Sequence, residues 1–234
     1  MAAAALAAAP VPPSATELPA LLSRLAEHSA RVRALSQSGV TVLTRTELLD
    51  GKGAVESRTE AVDRRFVRGG EEIVELRRFV RDGQDETAQE KARRAERKAK
   101  AGEGKERSMS FTLSSPFSAE ASARHTFSLA GADSQDPSLT RIAFQPKGSA
   151  SPETYKGEAG VDPATGTVRW IRFRPAKNPK HVTRMEVTML YGLETPGGPA
   201  LSRVSVDGEG GILFVKKGYR SESTFSDYGG GSAP

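Results

Sequence analysis

The chain has 234 residues, room for one large domain or two small ones, and a charged fraction of 27% excludes a membrane-embedded protein. Hydrophobic residues reach only 37%, so the apolar positions must be concentrated in particular segments. The absence of cysteine excludes disulfides, thiolate metal sites and a cysteine nucleophile, and a net charge of +5 does not require nucleic acid as a partner.

Residues 1–9 are nearly all alanine and lead into Pro10-Val11-Pro12-Pro13-Ser14-Ala15, a pattern like the apolar core and small-residue exit of a secretory signal without its basic leader. Two readings stay open: an export signal whose true start lies upstream, or a low-complexity segment with no targeting role. An exported chain without a cysteine to lipidate is expected free in the periplasm.

Over 16–35, Leu18, Leu21, Leu25, Val32 and Leu35 recur at helical steps between polar residues, which predicts an amphipathic helix capped by Ser14 or Thr16 and stopped by Gly39. Alternation over 40–48, the turn Asp50-Gly51-Lys52-Gly53, a return strand at 55–67 and a third strand at 71–81 predict a meander. Over 86–100 the only apolar residues are Ala88, Ala92, Ala95 and Ala99, so a charged helix resting a thin alanine stripe on its neighbour is expected. A short strand or extended connection is expected at 108–117.

Strands then recur at 124–129, 139–145, 154–161, 167–174, 181–191, 200–206 and 212–219, with turns at 162–166, 175–180, 195–199 and 207–211. About ten strands in one antiparallel sheet must curl. The predicted fold is therefore mainly β with α: an N-terminal amphipathic helix packed on a strongly curled antiparallel sheet, a half-open barrel. It forms a single domain over 16–228 with a charged helical insertion at 86–107 and a flexible tail at 229–234.

Little in the sequence suggests catalysis. His28, His125 and His181 have no partners at metal-ligand spacing, and no nucleophile elbow, phosphate loop or dinucleotide fingerprint is present. Asp133, Asp136, Asp207 and Glu209 lie in turn-rich stretches that favour acidic residues for backbone reasons. A non-enzymatic protein without cofactor or metal is expected.

Two sets of residues are candidates for binding. Lys91, Arg94, Arg97 and Lys98 could dock an acidic protein partner or an anionic membrane surface; interleaved Glu90 and Glu96 and the lack of aromatic residues argue against nucleic acid. Val42, Phe127, Ile142, Phe144, Trp170, Met185 and Met189 could line an apolar cavity or equally fill a core.

The stretch TVLTRTELLDGKG at 41–53, the pair Tyr155-Lys156-Gly157 and Val161-Asp162-Pro163-Ala164-Thr165-Gly166 leading to Ile171, and the ending at 221–228 resemble the hairpins and final strand of the periplasmic lipoprotein carriers of the LolA and LolB type. The resemblance covers most of 18–228. It implies a half-open barrel closed by helices around an apolar cavity that carries acyl chains of lipoproteins or lipids toward the outer membrane, as a monomer. Burying a sixteen-carbon chain would recover on the order of 12 kcal/mol at ~0.8 kcal/mol per methylene. The lack of an N-terminal cysteine favours the soluble carrier type, Arg45 is the candidate for the family's lid-contacting arginine, and the charged helix departs from both types. The alternative reading is a periplasmic interaction or sensor module on the same scaffold, docking acidic partners through its basic helix.

Overall fold

The computed structural model describes residues 16–101, 115–151, 154–212 and 215–229. The alanine-rich segment at 1–15, most of the strand expected at 108–117 and the tail beyond Gly229 lie outside the described residues.

Helix α1 (Leu18–Ser38) starts with Pro19 in its first turn, where a missing N–H is harmless, and buries Leu21, Leu25, His28, Ser29 and Val32 along one stripe. Gly39 ends it with φ +136°, a backbone conformation that L side chains rarely adopt. The chain then forms β1 (Val40–Leu49), β2 (Val55–Arg68), β3 (Glu71–Arg81), the two-residue β4 (Gln84–Asp85), α2 (Thr87–Ala101) and the one-turn α3 (Ala119–Ser122). Seven more strands follow: β5 (His125–Ala132), β6 (Thr140–Pro146), β7 (Tyr155–Asp162), β8 (Thr167–Pro175), β9 (Val182–Thr195), β10 (Gly198–Ile212) and β11 (Val215–Ser226).

All of these strands belong to one antiparallel sheet in the order β4-β3-β2-β1-β11-β10-β9-β8-β7-β6-β5. The last strand lies beside the first, with Val42 opposite Phe225, and β4 and β5 are left as the two edges, so the barrel does not close. The predicted fold class holds: mainly antiparallel β with few helices, in a half-open barrel. Glycines mark where the sheet bends, since a Cβ at Gly157 would overlap the Arg172 carbonyl and one at Gly160 would overlap the Trp170 indole.

The sequence reading erred at 207–211. This glycine-rich stretch is not a turn; it lies inside β10, and the strand expected at 212–219 straddles the real β10–β11 hairpin. Gly210 fits there because β9 approaches closely: an added Cβ would overlap the His181 carbonyl, beside a register shift between Glu209 and Gly210.

The two faces of the sheet differ in chemistry. The concave face of β5 to β10 is apolar, and Ile142, Phe144, Ala159, Val161, Ile171, Phe173, Val187, Met189 and Val204 form one cluster with Leu21, Leu25 and Val32 of α1. On β1 and β11 the same face carries hydroxyls, with Thr44 paired to Ser223 at 2.9 Å and Thr46 to Ser221 at 3.2 Å. The convex face is a lattice of cross-strand ion pairs, among them Arg45–Glu60 at 3.0 Å, Arg58–Glu47 at 3.0 Å, Arg203–Glu222 at 3.7 Å and Arg220–Asp207 at 3.4 Å.

Gly157 is a direct test of the bend. Gly157→Ala, placed against the β8 backbone, is expected to cost about 1–3 kcal/mol and lower the melting temperature by about 3–10 °C in a thermal unfolding scan. An unchanged melting temperature would contradict the close approach of β7 to β8.

Candidate functional site

Helix α1 crosses the strands of the concave face, and polar contacts fix its path. Arg24 donates to the carbonyls of Ala164 (3.0 Å) and Pro163 (2.9 Å) in the β7–β8 turn. One turn on, His28 Nε2 lies 2.9 Å from Pro199 O and its Nδ1 lies 3.4 Å from the Val168 N–H. These contacts define a neutral ring that donates from Nε2 and accepts at Nδ1. Burial holds the His28 pKa below its usual 6.5, against the opposing effect of the Pro199 carbonyl.

His125 plays the same part at the β5 edge. Its Nδ1 is 2.7 Å from Ala121 O, its Nε2 accepts the Tyr155 N–H at 3.3 Å, and its ring stacks on Tyr155 and meets Phe144 edge-on. Both buried histidines thus satisfy backbone groups. Asp133 and Asp136 accept N–H groups of their own turn, and Asp207 and Glu209 both bind Arg184.

Beside this core lies a cleft of about 580 Å³ between the flank of α1 and the start of β5. Pro19, Leu22, Ser23 and Ala26 form its helical wall, Phe117, Ser122, His125, Thr126 and Phe127 the opposite wall, and Lys147 completes the lining. Phe117 stacks on Phe127 at 5.5 Å, so an aromatic pair supports the apolar wall. A second hollow of about 610 Å³ at the β10–β11 hairpin has charged residues in its lining, and there Arg184 pairs with both Asp207 and Glu209.

The seven apolar candidates separate. Ile142, Phe144 and Met189 are core residues packed with α1, Val42 is buried at the start of β1, and Met185 is partly buried across the sheet from Gly208. Trp170 lies on the convex side, over Gly160 and opposite Leu190, on the face turned away from Ile171. Only Phe127 lines the cleft. The residues that sequence reasoning missed, Leu22, Ala26, Phe117 and Lys147, come from a helix flank, a connection and a strand end, where no periodicity singles them out. Arg45 points to the convex face and pairs with Glu60, so it does not contact a helical lid.

The basic candidates separate too. Arg94 reaches Asp63 Oδ1 at 2.7 Å and Glu90 Oε1 at 3.3 Å, and Arg97 reaches Glu90 at 2.6 Å. Lys91 and Lys98 are exposed and have no ion pair among the described residues. The expected alanine stripe is not the docking face: Ala88, Ala92, Ala95 and Ala99 are all exposed, whereas Glu90 and Asp63 are buried. An alanine methyl offers little area, while a carboxylate buried on β2 beside Leu76 must have a cation, and Arg94 turns the helix to supply it.

These features define a class of protein: a half-open antiparallel barrel wrapped on one helix, with an amphiphilic cleft at its edge. Among solved structures, the chain is similar to a DUF1329 family protein from Desulfovibrio piger, with 11% identity, a TM-score of 0.42 and coverage of 91% of this chain and 95% of that one. It is also similar to the LolA superfamily protein NE2245 from Nitrosomonas europaea, with 10% identity, a TM-score of 0.38 and coverage of 91% and 94%. A third is the Pseudomonas aeruginosa MucA/MucB complex, with 12% identity, a TM-score of 0.23 and coverage of 88% and 93%. No protein-family model and no curated protein matches the sequence. What the strand order and register establish is the architecture itself, an eleven-stranded antiparallel sheet that does not close.

Two outcomes follow from the buried polar groups. Because the folded His28 takes up a proton less readily than the unfolded one, the unfolded state binds more protons as pH falls below about 6.5, and stability drops there. Urea unfolding at pH about 7 and about 5 is expected to show a smaller loss in His28→Gln than in the parent chain; equal losses would contradict this role. Arg94→Met strands the buried Asp63 carboxylate, while Glu90 keeps Arg97, and is expected to cost about 2 kcal/mol, less than for a fully buried pair because a third of the Arg94 side chain is in water. Hydrogen exchange should then accelerate across α2 and leave α1 protected, and unchanged exchange in α2 would contradict the ionic docking.

Proposed function

We propose that this protein is a non-enzymatic, periplasmic binder and carrier of acyl chains, and that the cleft between α1 and β5 is where the chain enters. The observation that carries this reading is the cleft itself: its volume of about 580 Å³ lies within the range of small-molecule sites, and its walls are mainly apolar with a few polar groups at fixed places. The resemblance of the hairpin sequences to the lipoprotein carriers supports the same cargo class. Among the described residues no helix is long and apolar enough to cross a membrane, and no group of three His, Asp or Glu residues could hold a metal ion.

In this reading the apolar residues buried under α1 are the structural floor of the site, and chain binding extends their cluster at the Phe127 edge. No bond is made or broken; transfer follows from how much apolar surface the cleft removes from water. A second reading, docking of an acidic partner in the periplasm, is favoured by one observation: Lys91 and Lys98 stand two helical turns apart with no ion pair among the described residues.

Ala26→Trp fills the cleft from the flank of α1 without touching the buried stripe. It is expected to weaken binding of a fluorescent fatty-acid probe at least ten-fold while the melting temperature stays unchanged. Undiminished probe binding by a folded variant would reject the cleft as the site.

A further inference from the structure

The size and charge of the cleft narrow its ligand beyond the general class of acyl chains. Sixteen methylenes at ~30 Å³ each, the volume share of a liquid molecule of that size, fill about 480 Å³. The cleft holds about 580 Å³, enough for one such chain and far short of the three chains of a triacylated lipoprotein. Expansion inward is opposed by the core, because Leu21, Leu25, Ile142 and Ile171 are at most 1% exposed and packed in one cluster.

Charge adds a second constraint. The lining contains one fixed cation, Lys147, and no Asp or Glu. Lys147 is exposed, has no ion pair among the described residues, and begins just after the β5–β6 pairing, where its N–H donates to Arg124 O at 2.9 Å. A second exposed cation, Arg124, therefore sits on the neighbouring backbone. A cleft with apolar walls and Lys147 as the one Lys or Arg in its lining fits a molecule with an apolar tail and an anionic head.

We propose that the ligand is a single-chain amphiphile with an anionic head, its tail along Leu22, Ala26 and Phe127 and its head at Lys147. This rests on the acyl-binding reading above and specifies it. A free carboxylate and a lysophospholipid phosphate present the same chemistry to Lys147, and the probes below separate them.

The test measures calorimetric binding, below micelle-forming concentrations, of palmitate, palmitoyl-lysophosphatidylglycerol, neutral monopalmitoylglycerol, dipalmitoylphosphatidylglycerol and a tripalmitoyl lipopeptide to the full chain. One or both anionic single-chain probes are expected to bind at one-to-one stoichiometry, with the tighter of the two identifying the natural head. Lys147→Gln is expected to weaken that probe about three- to ten-fold, Lys147→Glu further, and neither is expected to change affinity for monopalmitoylglycerol. Equal or tighter binding of the two- or three-chain probes would overturn the single-chain assignment. Equal binding of the neutral and anionic single-chain probes, insensitive to Lys147→Gln, would overturn the role of the head. Failure of every probe to bind would overturn the acyl-binding reading itself.

Discussion

The stripe of Leu21, Leu25 and Val32 on α1 is the main apolar helical surface among the described residues, and the concave face of β5 to β10 packs against it. An eleven-stranded sheet with open edges would otherwise expose that face to water, so the half-barrel curls because it has something apolar to curl around. His28 makes this packing specific: it sits in the stripe, yet spends both ring nitrogens on backbone groups of β8 and the β9–β10 hairpin. The helix is thereby fixed in rotation and along its axis, and its flank, left over from the stripe, becomes one wall of the cleft.

The remaining part of the sheet is built differently. In the middle of β1 and β11 the inward residues are the hydroxyls of Thr44, Thr46, Ser221 and Ser223 and the outward ones are charged, so this stretch is held by ladder hydrogen bonds and cross-strand pairs, while Val40, Val42 and Phe225 carry apolar contacts to one end of it. Helix α2 follows the same logic, docking through Asp63, Arg94 and Glu90. Hence the main apolar cluster lies toward β5 to β10, and the cleft proposed above as the binding site opens at its β5 edge.

Much of the fold was legible because it rests on local signals. The 3.6 period of α1, the two-fold alternation of β1 and β9 and the glycine turns at 50–53 and 162–166 each follow from short-range physics. The glycines of β10 misled because a glycine at a bend and a glycine in a turn look alike in sequence; only the closeness of β9 tells them apart. The α2 interface was illegible for a related reason: apolar periodicity ranks alanine above glutamate for burial, and a buried carboxylate is understood only once Arg94 is seen against Asp63. Of the candidate cavity residues, Val42, Ile142, Phe144 and Met189 were legible as buried. Which of them would border free space depended on where the flank of α1 ends, a tertiary fact that only Phe127 happens to share with the alternation of its strand.

The central claim is that the cleft beside α1 holds one acyl chain. Native mass spectrometry of the full chain, purified gently from a secreting host without added lipid, tests it most directly. The account requires an adduct whose mass corresponds to one single-chain amphiphile per protein, lost when the protein is unfolded. A protein without any adduct even after incubation with membrane lipid extract, or one carrying a multiply acylated species, would contradict it.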